Sequence, residues 1–361
     1  MKKERKNLII IFIAFCFLVG LGTRDAYGDE PYYYKDFTLT PLPFWTDKYF
    51  GPNSGDIRYF KISALMKTLN LSWLQAVELQ NQFRDLTAEG IISQASFEKA
   101  LQRVREFKFE SRLDPVKLCS APFIVVFDMD ETLLQQYYSI WKKNSKFCDY
   151  QIKFNDGVRC VSMAPGWKEI IKTIKKLKGL VVIFSANTDD VVWKIANTVT
   201  IENQKLSDYV DGVMTNSYLI LQGKYEWVPR NATGSPMVIA SKDLRPLDET
   251  LKKVIIVDDN PGRIIQNYNL RVPKKYQADQ YYTDKVARKA YDRQLLKIAA
   301  EIEESVTYMN KNPGVSFTQA YLPYTQLGQV ALHWLVETGT FTETAAIAYI
   351  RKHPDIVDKK F

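Results

Sequence analysis

Two closely spaced acidic pairs are the residues of this sequence best suited to chemistry. Asp128 and Asp130 are separated by one residue and come directly after the apolar run 123–127, and Asp258 and Asp259 follow another apolar run. Carboxylates can attack as nucleophiles, transfer protons and bind hard cations such as Mg²⁺. The two pairs therefore predict hydrolysis or group transfer based on carboxylates.

Polar residues at the ends of two other apolar runs could complete such a site. Ser185 and Ala186 follow the run 180–184, Lys242 ends a short apolar segment, and Thr132 lies in the loop that contains the first acidic pair. Hydroxyl, main-chain N–H and ammonium groups can stabilise an anionic transition state. Carboxylates in this number could also bind a hard divalent cation.

The composition excludes several other classes of protein. The chain has 361 residues, of which 46% are hydrophobic and 25% charged, as is usual for a globular protein. Its only histidines are His333 and His353, which excludes a zinc site with several histidine ligands and a phosphohistidine phosphatase. The net charge of +8 includes no basic block interleaved with aromatic residues, so we expect no nucleic-acid partner.

Three short apolar runs predict the strands that position the candidate residues. Residues 123–127, 180–184 and 254–257 are apolar throughout, which is typical of strands buried on both faces of a parallel sheet. Helical patterns separate the runs, so we predict an α/β fold with a doubly wound parallel sheet. The carboxyl ends of such strands meet at one edge of the sheet, and the candidate residues should converge there.

A purely structural role is the simpler interpretation of any one acidic pair. Aspartate often caps a helix or stabilises a turn, and residues 247–250, L-D-E-T, look like the first motif without a preceding apolar run. We interpret residues 247–250 as a cap. Asp128 differs from such a cap because it belongs to an ordered set of features. The set combines strand ends, acidic pairs, a hydroxyl group and a lysine.

The ordered motifs of the central region resemble a known enzyme superfamily. They read F-D-M-D-E-T-L-L, A-P-G-W-K-E, V-V-I-F-S-A-N, S-K-D-L-R-P-L and K-K-V-I-I-V-D-D-N-P, and they lie within residues 123–263. The set resembles the haloacid dehalogenase (HAD) superfamily of phosphatases, and within it the branch of RNA polymerase C-terminal-domain phosphatase-like, or NLI-interacting-factor-like, proteins. The resemblance implies a HAD-like core and a Mg²⁺-dependent phosphatase.

The resemblance also implies roles for the acidic residues. Asp128 would be the nucleophile that forms an aspartyl-phosphate, and Asp130 would act as general acid and then as general base. Mg²⁺ would be bound by the Asp128 carboxylate, the Asp130 main-chain carbonyl, and Asp258 or Asp259. Which of Asp258 and Asp259 binds the metal directly stays open.

Four further residues would bind the substrate phosphate: Ser185, Ala186, Lys242 and Thr132. Among them, Thr132 is better suited to orienting the loop than to contacting the substrate. Lys224 and Lys252 are alternatives to Lys242.

The sequence predicts four parts in chain order. These are a signal peptide (1–28), a mostly helical N-terminal segment packing on the core (29–120), a HAD-like phosphatase core with a small insertion (121–274) and a helical C-terminal segment (275–361).

The N-terminal pattern predicts export. A basic start, an apolar run shorter than a membrane span and small residues before Asp29 are typical of a signal peptide, which places the protein in the periplasm or outside the cell. The alternative is an uncleaved N-terminal anchor, the one case in which a membrane would be a partner. In an oxidising compartment Cys148 and Cys160 could form a disulfide, although three unpaired thiols are an equal alternative.

The predicted function is that of an exported Mg²⁺-dependent phosphomonoester hydrolase. Its partner would be a phosphoester substrate, either a phosphoprotein or a small molecule. The alternatives are a small-metabolite phosphatase or a phosphotransferase of the same fold, and a non-catalytic HAD-like adaptor. An adaptor of this branch would be expected to lack the paired aspartates, whereas Asp128 and Asp130 are both present.

Overall fold

The computed structural model describes residues 66–67, 69–88, 94–138, 147–155, 157–221 and 240–359. The predicted signal peptide (1–28) and Lys224 lie outside these ranges, so both stay predictions. Among the described residues, no helix combines the length and the apolar character needed to cross a membrane.

Eleven described helices are labelled in chain order. They are α1 (Trp73–Ala88), α2 (Gln94–Arg105), α3 (Pro115–Ser120), α4 (Trp167–Lys176), α5 (Asp189–Thr198), α6 (Leu206–Tyr209), α7 (Ala278–Thr283), α8 (Lys285–Lys311), α9 (Phe317–Tyr321), α10 (Gln326–Glu337) and α11 (Glu343–Lys352). Short 3₁₀ helices cover Asn216–Tyr218, Pro261–Arg263, Asn267–Asn269, Leu322–Tyr324 and Pro354–Asp358.

The described strands are labelled in the same way. They are β1 (Ile124–Phe127), β2 (Leu134–Tyr138), β3 (Tyr150–Phe154), β4 (Gly157–Met163), β5 (Leu180–Phe184), β6 (Thr200–Ile201), β7 (Gln204–Lys205), β8 (Gly212–Met214), β9 (Ile220–Leu221), β10 (Ala240–Ser241), β11 (Val254–Val257) and β12 (Leu270–Arg271).

The chain divides into two compact units. The first comprises Met1–Ser120 and Ser217–Thr250, and the second comprises Ala121–Asn216 and Leu251–Phe361. This division does not test the four parts that the sequence predicts, and their boundaries stay predictions.

The second unit is built around a five-stranded parallel sheet in the order β12-β11-β1-β5-β8. The three predicted apolar runs form its central strands, and every residue of β1 and β11 is buried. Continuous hydrophobicity is required here because a strand inside such a sheet has no face in contact with water. The predicted α/β fold class is confirmed.

Helices cover the sheet and bury its side chains. On one face, Val125 and Phe127 of β1 share a core cluster with residues of α4, α5 and α8. Helix α4 buries Trp167, Ile170 and Ile174, which are the apolar stripe that helical spacing predicts. The helical segment after the core continues through α9, α10 and α11, and the last two pack with each other in a smaller cluster.

A three-stranded antiparallel sheet, in the order β2-β4-β3, is inserted between β1 and α4. A disulfide joins Cys148 to Cys160, whose Cα atoms lie 5.2 Å apart, and so connects the chain before β3 to β4. No cysteine among the described residues is a free thiol. The structure therefore decides between the two alternatives that the cysteine spacing left open.

The first unit contains a buried carboxylic acid. Glu78 of α1 is fully buried, and its side chain accepts hydrogen bonds from the main-chain N–H of Glu110, the hydroxyl of Ser111 and the hydroxyl of Tyr218. Burial raises the pKa of Glu78 from 4.5 to about 7 because desolvation outweighs the hydrogen bonds, which favour the charged form. Glu78 therefore binds its proton more tightly in the folded chain than in the unfolded chain.

This shift predicts that the first unit becomes less stable as the pH rises. The stabilising contribution is fully present below pH 4.5 and is lost as the pH rises through about 7, a total of about 3 kcal/mol. Urea unfolding at about pH 5 and about pH 8 measures it, with Glu78→Gln as the control because Gln resembles the protonated acid and does not titrate. An equal pH dependence in both proteins would contradict the assignment.

Candidate active site

The register of the central sheet places the ends of three strands side by side. Phe127, the last residue of β1, is aligned with Ile183 of β5 on one side and with Val257 of β11 on the other. The main-chain N–H of Asp128 continues the ladder by donating to the carbonyl of Val257 over 2.9 Å. The residues that follow these strands consequently share the carboxyl edge of the sheet.

Three carboxylates meet at this edge. One oxygen each from Asp128, Asp258 and Asp259 lies within 4.8 Å of the other two. Asp128 and Asp258 are 7% and 1% exposed, so little water screens their repulsion. The set offers only oxygen ligands, which is the donor chemistry that Mg²⁺ requires.

The surroundings of Asp259 raise the pKa of its carboxyl. Burial raises the pKa of the Asp259 carboxyl, and the negative charges of Asp258 and Glu131 raise it further, while the hydrogen bond from Thr132 opposes the shift. A bound cation would reverse the balance by favouring the charged carboxylates. The electrostatics of the cluster therefore fit a divalent cation.

Thr132 holds Asp259 in this arrangement. The Thr132 hydroxyl donates to a carboxylate oxygen of Asp259 over 3.0 Å and accepts the Asp259 main-chain N–H over 3.2 Å. Thr132 is completely buried. These contacts are those expected of a residue that orients the site. A contact between Thr132 and a substrate phosphate stays a prediction.

Two amide donors orient the side chain of Asp130. Its side-chain oxygens accept hydrogen bonds from Gln136 Nε2 over 2.6 Å and from Asn187 Nδ2 over 3.3 Å. Gln136 is itself fixed by Arg159, whose guanidinium donates to Gln136 Oε1 over 3.0 Å. Sequence reasoning assigned no role to Gln136 or Asn187, although Asn187 carries the signal of a polar residue just after a buried strand.

The loop that contains the first acidic pair is fixed at Glu131. This residue adopts a left-handed backbone conformation with φ of 62°, which is unfavourable for a residue with a side chain. Its carbonyl accepts the main-chain N–H of Tyr276 over 2.6 Å, and its carboxylate forms an ion pair with Lys275. Lys275 is a third residue that the sequence did not identify, because its position beside Glu131 exists only in the folded chain.

Ser185 and Ala186 begin the loop after β5. Ser185 is 1% exposed, its main-chain N–H donates to the carbonyl of Met214, and its hydroxyl accepts the main-chain N–H of Asn187 over 3.1 Å. The same loop thus brings Asn187 to Asp130 and Ser185 to the sheet edge. Phosphate binding by Ser185 and Ala186 stays a prediction.

The candidate lysines lie in different places. Lys242 directly follows β10 in the first unit and is 1% exposed, and its predicted contact with the phosphoryl group stays a prediction. Lys252 precedes β11, at the edge of the sheet opposite the acidic cluster. Four residues of extended strand, about 13 Å, separate the two edges, so Lys252 lies away from the acidic cluster.

A family model connects this geometry to known proteins. The model described as "NLI interacting factor-like phosphatase" matches residues 123–311, just over half of the chain. The chain belongs to this family. It is a HAD-type phosphatase of the branch that the sequence motifs resemble, and the match extends past the motifs through the end of α8.

Two solved structures match this chain with low similarity. A variant of the fission yeast RNA polymerase II CTD phosphatase Fcp1, bound to beryllium fluoride, is 12% identical with a TM-score of 0.31, covering 67% of this chain and 69% of that chain. A structure of Fcp1 described as an essential RNA polymerase II CTD phosphatase has the same identity and TM-score, covering 61% and 67%. No curated protein matches this NLI interacting factor-like phosphatase.

Proposed function

We propose that this phosphatase hydrolyses phosphomonoesters through an aspartyl-phosphate on Asp128 and depends on Mg²⁺. The observation that supports this best is the meeting of Asp128, Asp258 and Asp259 within 4.8 Å at the carboxyl edge of the sheet, with Asp130 oriented separately beside them. Three carboxylates could thus bind a cation, while Asp130, oriented by its own amide donors, could move a proton.

The proposed reaction has two steps. In the first, a carboxylate oxygen of Asp128 attacks phosphorus, the bond to the leaving oxygen breaks, and Asp130 gives that oxygen a proton. In the second, water attacks the phosphorus of the aspartyl-phosphate, Asp130 takes a proton from the water, and inorganic phosphate leaves Asp128. Mg²⁺ held by Asp128, Asp258 and Asp259 would neutralise charge on the phosphoryl group.

Removal of the metal is expected to stop the reaction. We expect EDTA to reduce hydrolysis of an aryl phosphate by at least about 10²-fold, because the carboxylate cluster would then repel the substrate, and we expect added Mg²⁺ to restore it. Asp258→Asn and Asp259→Asn should raise the Mg²⁺ concentration that gives half of the maximal rate. Turnover that is insensitive to EDTA would contradict the metal part of the proposal.

The proposed location is an oxidising compartment outside the cytoplasm. The N-terminal signal pattern and the disulfide between Cys148 and Cys160 both support it, since disulfides persist where thiols are not kept reduced. Cell fractionation followed by N-terminal sequencing is expected to find the protein in the exported fraction, beginning at Asp29. Recovery of the unprocessed chain in the cytosolic fraction would contradict export.

The structure favours no second function over this one. A phosphotransferase would use the same residues, with another acceptor in place of water. A non-catalytic adaptor would not need Asp130 to be oriented by two amide donors, and total inactivity on a panel of phosphoesters would be the result that supports it.

A further inference from the structure

A basic groove lies beside the candidate active site in the second unit. It has a volume of about 220 Å³ and is formed by the chain that follows β12 and by one side of α8. Four of its eight lining residues are Arg or Lys and none is Asp or Glu. The basic residues are Arg271, Lys274, Arg293 and Lys297.

One of these four charges is neutralised by the protein. The Arg271 guanidinium makes two hydrogen bonds of 2.9 Å to the two carboxylate oxygens of Glu301, whose side chain is 5% exposed. The other three side chains are exposed, and no carboxylate of the described residues forms an ion pair with Lys274, Arg293 or Lys297. Three cationic side chains therefore line the groove without an ion-pair partner among the described residues; of these, Lys274 places its Nζ over the ring of Tyr291, 5.0 Å from the centroid.

Helix stability does not account for this concentration of charge. Lys289, Arg293 and Lys297 follow one another at intervals of four residues along α8, an arrangement that brings like charges together on one side of a helix and destabilises it. An anion bound between Arg293 and Lys297 would relieve the repulsion. The spacing of these three basic residues therefore indicates a site for an anionic ligand more than a role in stabilising the helix.

The segment that starts at the end of β12 forms one wall of the groove and also contacts the loops that carry Asp258 and Asp130. The carbonyl of Arg271 accepts the main-chain N–H of Asp258 over 3.1 Å. Further along the same segment, Lys275 forms an ion pair with Glu131, next to Asp130. The segment that forms one wall of the groove therefore contacts both acidic loops of the candidate active site.

We propose that the basic groove binds a second phosphate group on a phosphoprotein substrate whose reacting phosphate lies at Asp128. The inference rests on the proposed function, because it takes Asp128 as the place of the reacting phosphate. Phosphate suits the groove because Lys and Arg side chains form strong charge-assisted hydrogen bonds to its oxygens. The substrate class that follows is a polypeptide segment carrying two phosphorylated residues, rather than a small metabolite.

The test compares two labelled peptides that carry non-hydrolysable phosphonate analogues of phosphoserine. One has a single analogue and the other has a second analogue several residues away. By fluorescence anisotropy with the mature wild-type chain and Mg²⁺, we expect about tenfold tighter binding of the doubly substituted peptide. The preference should disappear in the double variant Arg293→Gln, Lys297→Gln and weaken as the salt concentration rises.

A matched control removes the same charge from the same helix. Lys285→Gln with Lys311→Gln changes exposed residues at the two ends of α8, outside the groove, and should keep the preference. A preference that survives in the Arg293 and Lys297 variant, or that is absent from the wild type, would overturn the proposal. So would a preference of the groove for anionic lipid vesicles over the doubly substituted peptide.

Turnover of an aryl phosphate by the same proteins separates this inference from the proposed function. That substrate carries a single phosphate group and cannot occupy both sites at once, so wild type and both double variants should hydrolyse it equally. If none hydrolyses it but the peptide preference is present, the proposed function fails and the groove stands as a phosphopeptide site. If all hydrolyse it but the preference is absent, the groove assignment alone fails.

Discussion

Replacing Asp128 with Asn is expected to reduce the turnover of every phosphomonoester by about 10³-fold or more. The amide is a poor nucleophile, and the substitution also removes one of the three carboxylates that lie within 4.8 Å of one another. Steady-state hydrolysis of an aryl phosphate at saturating Mg²⁺ measures the loss. The Mg²⁺ concentration must be saturating, because excess Mg²⁺ would restore the activity of a variant that only binds the metal more weakly. It would not restore the activity of a variant that has lost its nucleophile.

Asp248→Asn is the matched control for this substitution. Asp248 stands in the L-D-E-T sequence that looks like the first motif, and its carboxylate accepts hydrogen bonds from the main-chain N–H and the hydroxyl of Thr250. The sequence predicts a helix cap here, but no helix follows among the described residues before β11, and the contact belongs to a turn. Turnover should therefore stay within about twofold of the wild type once the folded fraction is taken into account. Equal losses in the two variants would show that the effect of Asp128 is not specific.

Replacing Asp130 with Asn is expected to give a loss that depends on the leaving group. For an alkyl phosphate, whose leaving oxygen needs a proton, we expect kcat/KM to fall by about 10²–10⁴-fold. For an aryl phosphate with an acidic phenol the formation of the aspartyl-phosphate should be nearly unaffected. Its hydrolysis should be slow, because the base that activates water is gone, and a burst of phenol should precede slow turnover.

Stopped-flow measurement of phenol release tests this prediction, and the circular dichroism spectrum controls for folding. A uniform loss on aryl and alkyl phosphates, without a burst, would show that Asp130 does not act as the proton donor and acceptor. Gln136→Leu offers a milder comparison, since it removes one of the two amide donors to Asp130 and keeps the carboxylate.

The sequence predicts the central sheet and the acidic cluster because both depend on local patterns. Short apolar runs without alternation, separated by helical patterns, indicate strands inside a parallel sheet, and the residues after them then meet at one edge. The convergence of Asp128, Asp258 and Asp259 follows from strand register alone, which is why no further knowledge is needed to anticipate it.

The contacts that orient these residues could not be predicted in the same way. Gln136 lies on β2 of the inserted antiparallel sheet and contacts Asp130. Lys275 lies in the segment after β12 and contacts Glu131. Neither residue belongs to a spacing pattern, because its role is created by tertiary packing. The pairing of Cys148 with Cys160 is of the same kind, since the order of the strands brings their Cα atoms to 5.2 Å.

The most direct test of the account is to identify the residue that carries phosphorus during turnover. The Asp130→Asn variant, mixed with a radiolabelled phosphoester and Mg²⁺ and then quenched in acid, should accumulate a hydroxylamine-sensitive acyl phosphate. Mass spectrometry of its proteolytic fragments should place the phosphate on Asp128, and the label should be absent when Asp128→Asn is added. Label on a different residue, or turnover of substrate with no labelled protein at any quench time, would contradict the central claim.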